Sequence, residues 1–319
     1  MIHSPDQARG KQSVQVSEYG KLLIIGSVNV DMILGVLDDL PRRGTEIMME
    51  QSETRVGGNA ANTALAFKAM GGRFQVVANI GADMFGAFVG TAFPEDSKRW
   101  PRSALATTLS VGLTHSDGER TFLTSPGHLT TFCLADVLGQ IPKQAGAGDV
   151  ALLCSPFLSP ILLEEFGALI AELRRRGYKV ALDTGWPPQG WSAEIRARVA
   201  GWLHAVDHVL INEIEALAFS CSDSLEAAFD HVCGLTEPGA TVVIKRGPQG
   251  AMARRGAERL SAAAPRVEVV DTIGAGDIFN AGYLHGHLCG RILATCLRLG
   301  VEAASSAIST VPRRYGAGR

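Results

Sequence analysis

Asp271-Thr272-Ile273-Gly274-Ala275-Gly276-Asp277, or DTIGAGD, follows the apolar run Val267 to Val270 and opens onto a helical pattern from Ile278 to Cys289. The expected local structure is a strand, a glycine turn and a helix. Backbone N–H groups at Gly274, Ala275 and Gly276 would then point into one space at a helix N-terminus, where the helix dipole favours an anion. Asp277 falls in the first turn, within reach of a bound hydroxyl. An anion site beside a carboxylate is the pairing that phosphoryl transfer to an alcohol requires.

A second GAGD, Gly146 to Asp149, serves as an internal control. It follows the polar stretch Pro142 to Ala145 and precedes a strand-like run, Val150 to Cys154, so no helix N-terminus is available there. This copy reads as a turn.

Working outward, short β-branched and aliphatic runs recur at Leu22 to Gly26, Val76 to Ile80, Val150 to Cys154, Lys179 to Leu182, His208 to Ile211 and Thr241 to Ile244. Helical patterns lie between them: Ala60, Ala64 and Phe67 on one face with Gly71 as a stop, then Ile161 to Arg176, Ser192 to His204 and Leu225 to Leu235. Strand and helix in alternation predict a mostly parallel sheet covered on both faces, an α/β fold.

Met32 to Val56 and Thr108 to Phe122 interrupt the alternation with strand-like patterns and turn signals at Leu40-Pro41, Arg43-Gly44 and Ser116-Asp117-Gly118. Insertions at about 32–56 and 108–126 would pair into a small separate sheet, a lid that excludes water from the cleft. An edge extension of the main sheet is the alternative. Residues 1–20 are polar, with no apolar core of a secretory leader, and read as a flexible extension ahead of one domain spanning 21–319.

The formal net charge is −2 over 319 residues, with the basic residues scattered apart from short runs such as Arg174 to Arg176 and Arg313-Arg314, which argues against a nucleic-acid partner. No apolar run reaches the ~18 residues of a membrane span. The six cysteines occur singly, without CxxC pairs or zinc-like histidine spacing, as expected of free thiols in a cytoplasmic protein. Leu22 to Gly26 continues as GSVNVD and lacks the later glycines of GxGxxG, while GxxxxGK[ST] is absent, so neither common nucleotide loop is present. Asn29 and Asp31 suit sugar hydroxyls instead.

DTIGAGD with FNAG (Phe279 to Gly282), GGNAANTALAFKAMGG (Gly57 to Gly72), INEIE (Ile211 to Glu215) and IKRGPQG (Ile244 to Gly250) together resemble the ribokinase-like, or PfkB, family of carbohydrate kinases. The resemblance covers nearly everything after residue 20. It implies a Rossmann-type αβα sandwich with a small β-sheet lid, and ATP-dependent phosphorylation of a hydroxymethyl group on a small sugar. Asp277 would be the general base and the amides of Gly274, Ala275 and Gly276 an anion hole. Asn29, Asp31, Gly57, Gly58, Asn59 and Asn62 would bind the acceptor. Asn212, Lys245, Gly247, Gly250 and Thr272 would face the nucleotide, and Glu215 would hold Mg²⁺ through water. An ordinary Asp, pKa ~3.9, is a feeble base toward an alcohol, yet in a loose transition state it need only accept the proton late.

Asp271 and Ile273 match positions that hold a monovalent cation in the family. The tail Ala307 to Gly318 departs from the family's compact TRxGA segment, so potassium stays open. Arg120 could approach a phosphate or an acidic sugar, and Asp183 and Trp186 end a strand on the ligand side, although Gly185 stands where some relatives have Asn. A homodimer through the lid strands is a further implication. A nucleoside kinase of the same fold is the alternative, and a non-catalytic sugar-binding regulator a second. With 6% aromatic residues, and only Phe122 and Phe132 near the second lid segment, the sugar is favoured.

Overall fold

The computed structural model describes residues 20–37, 39–116 and 120–310. The expected N-terminal extension apart from Gly20, the Asp117-Gly118 turn and the tail from residue 311 onward lie outside the described residues.

The strands in chain order are β1 (Leu22–Ile25), β2 (Asn29–Leu34), β3 (Ser52–Gly57), β4 (Phe74–Val77), β5 (Ile80–Gly81), β6 (Arg102–Ser103) and β7 (Leu109–Thr114). They continue as β8 (Arg120–Thr124), β9 (Val150–Leu153), β10 (Lys179–Asp183), β11 (His208–Asn212), β12 (Thr241–Lys245), β13 (Ala251–Arg255) and β14 (Glu258–Ala262). Among the described residues an eight-stranded sheet runs β14-β13-β12-β11-β10-β9-β1-β4. It is parallel from β4 to β12 and ends in the antiparallel hairpin β13–β14. That hairpin, with charged residues on Arg254, Arg255, Glu258 and Arg259, escaped the sequence reading because it lacks an apolar run.

The strand period of two divides the core. Leu22 and Ile24 pack on one face with Phe67, Tyr283 and Leu297, beneath helices Asn59–Ala69, Ala275–Leu288 and Leu293–Ile308. Leu23 and Ile25 face the other side with Phe166, Trp202 and Phe229, beneath Pro160–Arg175, Ala193–Leu203 and Leu225–Gly234. Both faces are covered, so central strands such as β1 and β9 are buried at every residue, and each large side chain contributes about 1.5–3 kcal/mol by leaving water. Among the described residues no helix is long and apolar enough to cross a membrane.

A separate four-stranded sheet, β3-β2-β7-β8, stands outside this sandwich. Its register places Arg55 opposite Asp31, Asp31 opposite Ser110, Ile33 opposite Gly112, and Gly112 opposite Phe122. Alternation along each strand therefore sets Asp31, Ile33, Arg55, Ser110, Gly112, Arg120 and Phe122 on one face.

Val267 to Val270 is not the buried strand expected ahead of the glycine loop. The segment has no strand partner, and Val267, Val269 and Val270 are 37%, 57% and 46% exposed. The hairpin β13–β14 already closes that edge of the sheet, and Pro265 lacks the N–H a ladder would need. The segment is instead held at its far end, where Val270 N and Asp271 N donate to Ile308 O at 2.7 and 3.1 Å.

Candidate active site

Two helix starts meet at the carboxyl ends of the parallel strands. The first follows Gly57-Gly58. Gly58 has φ +94°, and a Cβ there would sit 2.5 Å from Ser27 O and 2.6 Å from Asn29 Oδ1, so only glycine lets the turn close on β1. Asn59 Oδ1 then accepts from Ser27 N, Ser27 Oγ and Ala60 N at 2.8–2.9 Å, tying the helix to the end of β1. Asn29 Nδ2 donates to Asp31 Oδ1 at 2.7 Å, so this buried pair presents itself as one polar unit on the lid strand.

The second start is the glycine loop. Gly274 caps the helix Ala275–Leu288 with φ +72°, a left-handed conformation that favours glycine. The Ala275 N–H turns back to Thr272 O at 3.1 Å, whereas Gly274 N–H and Gly276 N–H have no hydrogen-bond partner among the described residues. Two of the three expected amides are thus open to an anion. The GAGD at 146–149 is a turn, with Gly146 N donating to Asp149 Oδ2 at 2.9 Å, in agreement with its sequence context.

The two helices are joined through Asp277. Asn62 Nδ2 donates to its Oδ2 at 2.9 Å, and Thr63 Oγ1 donates to its backbone carbonyl at 3.2 Å. Asn62 therefore bears on the carboxylate. Burial pushes the Asp277 pKa up to about 7, with the Asp183 carboxylate adding to the rise and Asn62 and Lys245 opposing it. The carboxyl is thus far less acidic here than an ordinary Asp.

Beneath the loop, Lys245 Nζ donates to Asp183 Oδ2 at 2.9 Å and to Asn280 Oδ1 at 3.4 Å, and Asn280 Nδ2 also donates to Asp183 Oδ2. The Lys245 pKa is raised: burial pulls it down, but Asp183 and Glu215 outweigh that. At the end of β11, Asn212 and Glu215 form a reciprocal cap, Glu215 N donating to Asn212 Oδ1 at 2.8 Å and Asn212 N to Glu215 Oε2 at 3.1 Å. Thr184 Oγ1 donates to the same oxygen at 3.1 Å. Burial and Asp183 raise the Glu215 pKa.

Two cavities adjoin across this network. One of about 640 Å³ is lined by Asn212, Lys245, Gly247, Gly250 and Thr272, all expected to face the nucleotide, and by an apolar wall that includes Val267, Val269, Phe279 and Ile308. The other, about 250 Å³, is lined by Asn59, Asp183, Glu215, Gly274 and Asp277 among others. Asn212, Lys245, Thr272, Ala275 and Gly276 line both. The glycine loop is the partition.

Above the loop stands the second sheet. Arg55 Nη1 donates to Asp271 Oδ2 at 2.7 Å, Arg120 Nη2 lies 3.1 Å from Asp271 Oδ1, and Arg120 Nη1 donates to Thr272 Oγ1 at 2.7 Å. Ile273 joins this group through its backbone N–H, which donates to Asp271 Oδ1 at 2.9 Å. Trp186 is 49% exposed and lines neither cavity, and Phe132 is buried in the core away from the lid. Sequence reading assigned no role to Asn280, Ser27 or Arg55. Asn280 had a signal, a polar residue on a helix face of small and apolar ones. Arg55 had none, since only cross-strand register brings it to Asp271.

Residues 20–313 match the pfkB family carbohydrate kinase profile. A cytidine kinase from Thermococcus kodakarensis is 28% identical over 300 residues, covering 89% of this chain and 94% of the relative. A ribokinase from Haemophilus influenzae is 25% identical, covering 92% and 95%. Among solved structures, adenosine kinase from Sinorhizobium meliloti superposes with a TM-score of 0.75 at 23% identity over 93% of this chain and 96% of that one. Arabidopsis thaliana ribokinase, solved with ribose and ATP, gives 0.71 at 21% identity over 92% and 93%. These likenesses establish the fold, and the profile match across nearly the whole chain makes it a member of the pfkB family of carbohydrate kinases.

Proposed function

We propose that the chain transfers the terminal phosphoryl group of ATP to a hydroxymethyl group of a small sugar or sugar derivative, with Asp277 as general base. The observation that carries this reading is the position of the Asp277 carboxylate, raised to about 7, beside the glycine partition between two cavities. Asp277 Oδ2 accepts from Asn62, while Oδ1 has no hydrogen bond among the described residues and is left for the acceptor hydroxyl. A base with a pKa near the working pH takes up the hydroxyl proton as the P–O bond forms.

The apolar wall of the larger cavity suits a nucleobase, and Lys245 with the Gly274 and Gly276 amides suits the phosphates. Donors already fixed by the fold stabilise charge on the transferring group without reorganising at the moment of reaction. Asn29 and Asp31, held against Gly57 and Gly58, offer a donor and acceptors to paired hydroxyls. The sheet β3-β2-β7-β8 acts as the lid that keeps water from the phosphoryl group.

Glu215 and Asp183 supply hard oxygen donors to the smaller cavity, and among the described residues no three acidic, histidine or cysteine side chains cluster as a metal cage. That donor set fits Mg²⁺, which keeps most of its water and rides on phosphates. When bound, Mg²⁺ would neutralise phosphate charge, with Glu215 and Asp183 holding it through water.

A nucleoside acceptor is the second reading, and the lid carries its support. Ile33 and Phe122 flank Gly112 on the face that also bears Asp31; a Cβ on Gly112 would lie 2.9 Å from Ile33 Cδ1 and 3.0 Å from Phe122 Cε1. This apolar patch could cover a base or the ring face of a sugar. Phosphorus NMR of the product distinguishes the two: a primary phosphate ester on a free sugar supports the first reading, and a nucleoside monophosphate as the sole product supports the second.

A further inference from the structure

We infer that Arg55 and Arg120 supply, at Asp271, the positive charge that a monovalent ion would otherwise bring, so that the chain carries this cation covalently on its lid. The inference rests on the kinase reading. Among the described residues, the groups around Asp271 do not fit potassium. Both carboxylate oxygens of Asp271 face a guanidinium, at 2.7 Å from Arg55 Nη1 and 3.1 Å from Arg120 Nη2. Ile273 presents its N–H, a donor, to Oδ1. The Thr272 hydroxyl accepts from Arg120 Nη1, and the Val270 carbonyl accepts from Arg120 Nη2 at 3.4 Å. Carboxylate, hydroxyl and carbonyl oxygens are the groups an alkali cation would need, and one arginine reaches all three.

Charge argues the same way. Two guanidinium groups meet one Asp271 carboxylate in a half-buried setting, with side chains 17%, 9% and 19% exposed. Glu53, 3.5 Å from Arg55, is 62% exposed and largely screened. Among the described residues this locus already carries excess positive charge, which a further cation would add to. Guanidinium is planar and permanently charged, and its fork can hold a carboxylate, a hydroxyl and a carbonyl together in a way a spherical ion cannot.

The two arginines come from opposite edges of the lid, β3 and β8, and converge on the residues just before the glycine loop. A free ion organises such a loop whether the lid is open or closed. Here the charge arrives only with the lid, so closure over the acceptor and ordering of the Gly274–Gly276 loop become one event. Arg55 and Arg120 are positioning residues: they act on the reacting atoms through Asp271 and Thr272.

The test compares wild type, Arg120→Gln and the double variant Arg55→Gln/Arg120→Gln in potassium, caesium and choline chlorides at equal ionic strength. Thermal melting and thallium-205 NMR report cation binding without any acceptor, and ADP release reports turnover. Wild type is expected to melt at one temperature in all three salts and to leave the thallium signal unshifted. The double variant is expected to melt higher in potassium than in choline and to bind thallium. Arg120→Gln should lose kcat several-fold with a smaller change in KM, with part of the loss restored by potassium and not by choline. If the double variant does not fold, Arg120→Gln is read by the same melting and thallium criteria. Potassium-specific stabilisation of wild type would overturn the inference, as would variants that stay blind to the choice of salt. Failure of the kinase reading is separate: wild type would release no ADP in any salt while the melting contrast remained.

Discussion

Asn62 Nδ2 and Asp277 Oδ2 lie 2.9 Å apart, joining residues 215 positions distant in the chain. Each stands in the first turns of a glycine-led helix, so the two glycine motifs meet in a single hydrogen bond. This bond favours the ionised carboxylate and opposes the effect of burial. Asn62→Ala should therefore raise the Asp277 pKa further and move the acid limb of the kcat/KM against pH profile to higher pH. An unmoved limb would detach Asn62 from the base.

Asp277→Asn should lower kcat by roughly 10² to 10⁴ with the fold intact. Its stability carries a pH signature. Because the folded pKa is raised from 3.8 to about 7, the folded state holds the proton more tightly than the unfolded chain. The carboxyl's contribution is complete below the unfolded value and is lost as pH rises through the folded one. The Asn variant, which never ionises, should melt above wild type near pH ~8, by a margin that shrinks towards pH ~5 and closes only below the unfolded value. Melting curves at both pH values check this.

Lys245→Met removes the cation from a pair whose side chains are each 11% exposed. Asp183 would keep Asn280 as a donor but lose its counter-charge, and breaking a buried pair in this way costs about 3–5 kcal/mol. Denaturant unfolding should show that loss, together with a fall in activity. A variant as stable as wild type would mean that Asp183 is neutralised by another group.

Gly274→Ala tests the loop itself. The left-handed conformation costs a residue with a Cβ roughly 1–2 kcal/mol. That Cβ would also land 2.7 Å from Asn62 Nδ2 and push the amide off Asp277. Activity should fall far more than melting temperature, and the surviving rate should show the same alkaline shift as Asn62→Ala.

The parts of this structure legible in sequence are the local ones. Gly57-Gly58 and Gly274 mark helix starts because their φ values and close contacts demand glycine, and the buried strands announce themselves as apolar runs. Register is not local, so the approach of Arg55 and Arg120 to Asp271 and the Lys245–Asp183–Asn280 network could not be read from spacing. Val267 to Val270 misled for a physical reason: three valines look the same whether they fill a sheet or line a cleft, and only the closed edge at β14 decides. The basicity of Asp277 was equally hidden, since it is set by burial and by Asp183, 94 residues away in the chain.

The central claim is that Asp277 drives phosphoryl transfer from ATP to a hydroxymethyl group. The direct measurement is ADP release in Mg-ATP by wild type and Asp277→Asn, across ketoses, aldopentoses, sugar acids and nucleosides. The account predicts acceptor-dependent release by wild type with at least one compound that bears a free hydroxymethyl group, and its near loss in the Asn variant. Turnover of none of these acceptors, or equal turnover by both proteins, would contradict it.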